Sequence, residues 1–514
     1  MTRSSLYLKD SIEAVVIAGL LTCFLARLAT ADVPVLLTPI ALVGDAAAGL
    51  EDVVYTSYPI WSRSSSDGRL TWQADLSNGQ EGIWVYDVLG SRPIALAGPG
   101  AEYESFYNQG SGFINSLGQV TLVSERGADQ DIVVIDGESK TIVLSTDEQA
   151  PGLAPGISIS PGSVGVSISD GGIVSFRRTL DGPGITTDND NSWWIGPVNN
   201  PQVLLREGDP APGLPGDQIG GLVSGFSKND AGYAAVPDSL QSGRRAIWAG
   251  VPGDVQLVAS EGAPVPGFPE QFFGSFINQL AQVSSSNEVV FRSRIVDASS
   301  QPVGDALFVG GPGNLSSVLA TGDPSPFGEG ETIQTIGTPS LNRVGKALVT
   351  ATLESENGNT RGVLMSFDLD DPMDASLIVE VGDIAPGTDT AITSLPGGYI
   401  NDRGDVLFSA RLAGFGPANF GHGYWLKPAD RPTQVVSFEG QTIDFLEQGK
   451  LVQRDLRTSG IPTGLSEMGT VGVLLSFEQG GGGLFLAQIN PIPEPSTSIL
   501  LVVAVSCVAL LRRR

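Results

Sequence analysis

From about residue 60 to residue 490 the chain is a succession of short alternating runs separated by polar turns. Residues 401–412, NDRGDVLFSARL, show the pattern. Val406, Phe408 and Ala410 fall on one side, and Asp405, Leu407, Ser409 and Arg411 on the other. Period two with one more apolar face predicts a strand. The Asn-x-x-Gly before it supplies residues that tolerate positive φ. Clear copies of this phrase lie at 115–124, 229–240 and 342–353, and weaker ones at 66–76, 169–180, 286–296 and 466–477.

Two further phrases recur with it. One is a short aromatic or aliphatic strand, as in GIWVYD (82–87), SWWIG (192–196), AIWAG (246–250) and GYWLK (423–427). It holds Trp84, Trp193, Trp194, Trp248 and Trp425, whose recurrence at one place predicts packing in a core. The other is a strand running into a Gly-Asp-Pro-like turn, as in VLLREGDPAPG (203–213), VLATGDPSPFG (318–328) and IVEVGDIAPG (378–387). A more variable strand candidate precedes each Asn-x-x-Gly phrase, so each unit has about four short strands. Eight aromatic strands are followed by only seven internal strands of the Gly-Asp type. The eighth such strand is the first in the mature chain, near 36–43. A ring lets that N-terminal strand complete the last sheet and removes exposed edges. The expected fold is all-β: an eight-bladed β-propeller of four-stranded antiparallel blades over 32–490, closed by the N-terminal strand. Seven blades, or two β domains, are the alternatives.

Charge and rare residues narrow the chemistry. Lys plus Arg number 29 against 56 Asp plus Glu, a formal net charge of −27. Such a chain is repelled by phosphate backbones, and no basic patch compensates, which argues against nucleic acid as a partner. Cys23 and Cys507 both lie in terminal apolar segments, so a processed chain would have no disulfide, Cys zinc site or thiol nucleophile. His422 is the sole histidine, and it reads as a loop residue beside a packing strand.

The two ends read as addresses. Residues 14–29 are apolar and follow Arg3 and Lys9; Ala29-Thr30-Ala31 offers a small-residue cleavage site, so 1–31 is expected to be a signal peptide. At the other end stand Pro493, Glu494 and Pro495, an apolar run from Ile499 to Leu511, and then Arg512, Arg513 and Arg514. This tail, 491–514, resembles the PEP-CTERM sorting signal recognised by exosortases of Gram-negative bacteria that make exopolysaccharide. The resemblance implies export across the inner membrane, an exosortase-type partner, and a transmembrane hold only until processing. The internal repeats also resemble tandem repeats of exported bacterial proteins carrying this tail. Their shared core is Asn-Asp-x-Gly, an alternating strand, Gly-Ile-Trp and Leu-Val-x-x-Gly-Asp-x-x-Pro-Gly. Residues 229–267 and 401–426 carry it well, whereas 95–160 and 433–490 match poorly.

Candidate chemistry is sparse. Glu207, Asp209, Asp323 and Asp383 form a recurring acidic position. In a ring they could gather at one rim and meet a cation or glycan hydroxyls; the plainer reading is an Asp accepting a backbone bond in its own turn. Asp188 and Asp190, with Asn189 and Asn191, make an oxygen-rich loop of the kind calcium favours, without EF-hand spacing. No cofactor is otherwise indicated, and no P-loop or Gly-x-Ser-x-Gly elbow is present. The expectation is a non-enzymatic surface or matrix module binding exopolysaccharide or a surface protein. The alternative is a secreted polysaccharide hydrolase or lyase with paired carboxylates.

Overall fold

The computed structural model describes residues 35–488, apart from residue 58 and the stretches 108–111, 163–164, 223–224, 415–420 and 448–449. The segments expected to be a leader, 1–31, and a sorting tail, 491–514, lie outside the described residues, with Ala29, Ala31, Pro493, Glu494, Pro495, Arg512, Arg513 and Arg514.

Eight antiparallel sheets follow one another along the chain. Blade 1 shows the plan: Ile60–Ser64, Leu70–Asp75, Glu81–Asp87 and Gly90–Ala97 pair in chain order. Blades 2 to 7 occupy 105–145, 158–206, 227–260, 272–320, 331–380 and 392–438 in the same way. The first strand of each blade is innermost, and these strands meet their counterparts around the centre. Hairpin alternation puts the first-to-second and third-to-fourth turns on one face of the ring, and the remaining connections on the other.

Blade 8 is assembled from both ends of the described chain. Leu36–Leu42 lies antiparallel to Gly482–Gln488, with Leu36 opposite Gln488 and Leu42 opposite Gly483. This is the closure expected from the strand count, and it sets aside the seven-blade and two-domain alternatives. Pro39 sits in this outermost strand beside a break in register, where a missing backbone donor is tolerated. The inner edge closes too, since Glu467 N donates to Ser66 O at 2.6 Å.

Two features depart from the repeat plan. The inner edge is broken into two pieces in blades 2, 3 and 6, where Pro161-Gly162 and Gly337-Thr338-Pro339 interrupt the latter two. Blade 8 carries an additional strand, Thr442–Glu447, hairpinned onto the 16-residue Lys450–Leu465.

The core lies between successive sheets, and the indoles are its largest members: Trp72, Trp84, Trp194, Trp248 and Trp425 are fully buried. Three of them also hold a connecting loop. Trp84, Trp248 and Trp425 donate through Nε1 to the carbonyls of Ala48, Pro212 and Pro386 at 3.0, 3.1 and 3.0 Å. Each acceptor directly precedes the glycine ending a Gly-Asp-type turn. The aromatic phrase and the turn phrase recur together because one bonds the other. In blade 5, Phe308 stands in the tryptophan's place and packs against Phe268 of the loop instead.

Candidate functional site

The turns between first and second strands converge at the centre of one face. In four of them an asparagine folds its own turn and reaches the next. Oδ1 of Asn115 accepts from Leu117 N and Gln119 N, and that of Asn229 from Ala231 N and Tyr233 N. The Nδ2 groups of Asn115, Asn229, Asn342 and Asn401 donate to the carbonyls of Ser169, Ser284, Asn401 and Ser466, at 2.9 to 3.1 Å. All four asparagines are buried. Side chains of the following residue add bonds between turns: Asp170 Oδ1 accepts from Ser116 N, Asp402 Oδ1 from Arg343 N, and Glu467 Oε2 from Asp402 N.

Arg343 crosses this mouth. Its Nε lies 2.7 Å from Asp402, its Nη2 3.5 Å from Glu467, and its Nη1 3.0 and 3.8 Å from Asp170 and Asp230. One guanidinium of blade 6 thereby joins carboxylates of blades 3, 4, 7 and 8. Burial works against its charge, but Asp402, Glu467 and Asp170 more than offset that and hold it above its ordinary value. Glu467 is pushed up, chiefly by burial.

Just below the mouth, two residues before each turn, lies a layer containing Arg63, Phe113, Ser167, Ser227, Gln282, Ser340 and Tyr399. A recess of about 360 Å³ opens here, lined among others by Gln282, Ser340, Tyr399, Ser409 and Tyr424. Its inner wall is Pro396-Gly397-Gly398, and at Gly397 a Cβ would point into open space. No carboxylate lines it. Burial, then the neighbouring Tyr399, raises the Tyr424 phenol above its usual range. Tyr399 also acts on Arg63, whose guanidinium lies 4.7 Å over the Phe113 ring and is lowered by burial. Across the layer, Lys228 Nζ donates to Ser167 Oγ at 2.6 Å and Ser175 Oγ at 2.8 Å.

The residues singled out from sequence lie elsewhere. Asp209, Asp323 and Asp383 follow the outermost strands of blades 3, 5 and 6, far out along the sheets rather than at the central mouth. Asp323 accepts from Ala320 N at 2.7 Å and Asp383 from Glu380 N at 3.0 Å, both within their own turns. Asp209 is raised by burial, with Arg206 opposing, and buried Glu207 accepts from Asn191 at 3.0 Å. Asp188 and Asp190 occupy the loop between Ile173–Asp181 and Asn191–Pro197, where Asp190 accepts from Asn191 at 2.6 Å. Among the described residues, no group of three or more His, Cys, Asp or Glu is placed to hold a metal ion. His422 is not a loop residue: it opens the strand His422–Lys427 beside Arg411, because the ladder starts one residue before the aromatic phrase.

The fold and its blocked central mouth define a closed eight-bladed β-propeller with a recess in its inner layer. The chain belongs to the family described as "Family of unknown function (DUF7453)", whose model matches it twice, over residues 30–283 and 245–499. No curated protein matches it. Among solved structures it is similar to the β-propeller domain of the Trilobed protease from Pyrococcus furiosus, at 10% identity and a TM-score of 0.39, covering 74% of this chain and 95% of that one. It is also similar to the WD40 domain of SCAP from fission yeast, at 7% identity and a TM-score of 0.39, covering 89% and 99%. The polysaccharide lyase Uly1 matches at 9% identity and a TM-score of 0.37, covering 78% and 93%. At that level of similarity none of them informs activity or ligand.

Proposed function

We propose that this propeller is an exported, surface-held module that binds a glycan in its inner-layer recess. One observation carries the reading. The recess is uncharged and pairs two tyrosines with amide and hydroxyl groups, the combination that stacks on a sugar ring and bonds its hydroxyls. The leader-like and sorting-like segments of the sequence support export. Glycan-array or calorimetric binding tests the reading. Tyr399→Ala and Tyr424→Ala should each weaken binding about tenfold or more, in line with loss of a stacking aromatic, while the melting temperature changes little for exposed Tyr399. Binding that both substitutions leave intact would overturn it.

One observation favours a second reading, cleavage of a polysaccharide. An open groove of about 790 Å³ between blades 5 and 6 is lined by Glu288, Asp368 and Asp370 among others. Glu288→Gln would then abolish release of reducing ends from a matrix polysaccharide.

A further inference from the structure

Lys228 occupies a place that six of the eight blades fill with an aliphatic residue and blade 1 fills with Ser64. Directly before the turn, blades 2, 3 and 7 have Ile114, Ile168 and Ile400, all buried. Blade 4 has a lysine there, on the inner strand Ser227–Lys228. A charged residue at a place that most copies of a repeat keep apolar marks a site where something other than packing is selected.

The surroundings are built around the amine. Ser167 and Ser175 of blade 3 lie 3.0 Å apart, and Lys228 bonds both. Arg177 lies on the same face of the same strand as Ser175, two residues on, and donates to Leu222 O at 2.7 Å. Neither Lys228 nor Arg177 has an ion-pair partner among the described residues. The acids nearby are Asp230, whose field reaches Lys228, and Asp170, which is engaged by Arg343 and Ser116 N. Protein crowds the amine, while Lys228 as a whole residue is half-buried. Burial pushes the ammonium down to about 7, with Asp230 opposing. A buried cation without a counter-ion is costly, and an arriving anion removes that cost.

We infer that the seam between blades 3 and 4 is an anion site, in which Lys228, Ser167, Ser175 and Arg177 take the carboxylate or sulfate of an acidic saccharide. The saccharide part of this rests on the glycan reading above; the anion part does not. Ligand charge restores the lysine's proton, so binding takes up protons. Affinity weakens as pH rises above about 7, by up to about tenfold per unit until the bound-state pKa is reached.

The test is calorimetry on the full-length chain in detergent, in HEPES and in Tris, from pH 6.5 to 9. The probes are trigalacturonate, the neutral galactose trisaccharide and inorganic sulfate. The inference expects trigalacturonate to bind at least tenfold more tightly than the neutral sugar, with proton uptake at pH 7.5. Lys228→Met should erase that preference. Lys228→Arg should keep it without the pH dependence, because a guanidinium stays charged throughout. Lysine-dependent binding of sulfate, with no saccharide bound, would uphold the anion site and defeat the glycan reading. Equal binding of acidic and neutral sugars, a preference that survives Lys228→Met, or no binding of any probe would overturn the inference.

Discussion

Four buried asparagines join sheets that share no backbone ladder. Asn401 both shapes its turn, accepting from Asp405 N at 2.8 Å, and reaches Ser466 O in blade 8. Asn401→Ala orphans a buried carbonyl and frees a turn, so unfolding in urea should show a loss of about 1–3 kcal/mol. Asn401→Asp should be no rescue, since a carboxylate cannot donate to that carbonyl. Lys228 supplies a prediction of opposite sign. Its proton is held less tightly in the fold than in the unfolded chain, about 7 against 10.5. The unfolded state therefore binds more protons between those values, and the lysine's contribution to stability rises with pH across that window. Lys228→Met should be more stable than the native protein at pH 6, and thermal melts should show the gap closing towards pH 10. A gap independent of pH would mean that the lysine is charged in the fold throughout.

At the scale of the strand, closure is the decisive contact. Without Leu36–Leu42 the strand Gly482–Gln488 becomes an edge, with apolar Leu484 and Leu486 newly exposed. A chain lacking residues 36–42 should self-associate in sedimentation experiments, whereas the native ring should remain monodisperse. The strands were legible in the sequence because each repeats its own alternation, and the missing eighth outer strand was legible because the copies could be counted. The inner layer was not. Its first strands range from Ser227–Lys228 to Lys450–Leu465 in length, and those of blades 3 and 6 are broken by Pro and Gly, so beyond the residue directly before the turn their side chains follow no common pattern. Arg343 and Lys228 did leave a trace, as substitutions of Arg where the other clear copies put Ser or Asp and of Lys where Ile recurs. That trace acquires meaning only when turns 54 to 65 residues apart are brought together around an axis. The acidic Gly-Asp turns were conspicuous for the opposite reason. They recur because each folds itself, as Asp323 and Asp383 do.

For the whole ring, the mouth cluster sets the response to pH. Arg343 is the cation that Asp170, Asp230, Asp402 and Glu467 share as an ion-pair partner among the described residues. In Arg343→Ala those carboxylates lose the cation they share and repel one another, a repulsion that proton binding relieves. The variant should lose stability at pH 7 and recover part of it as pH falls towards 5, against an unchanged ordering in a control such as Arg126→Ala at an exposed pair. If the Arg343 melt follows the native one at every pH, the mouth is not held by charge.

The pairing of Leu36 with Gln488 also has a mechanical side. Leu36 and Gln488 lie at the same end of one antiparallel ladder. A pull applied between them would load its hydrogen bonds one after another, like a zip, and the blade would part at low force. A pull on the C-terminal end alone enters at Gly482–Gln488, which is flanked by Thr470–Phe477 on one side and Leu36–Leu42 on the other. The load is then shared along two ladders at once. Tension between the two strands would thus part the blade at lower force than tension on Gly482–Gln488 against the rest of the ring.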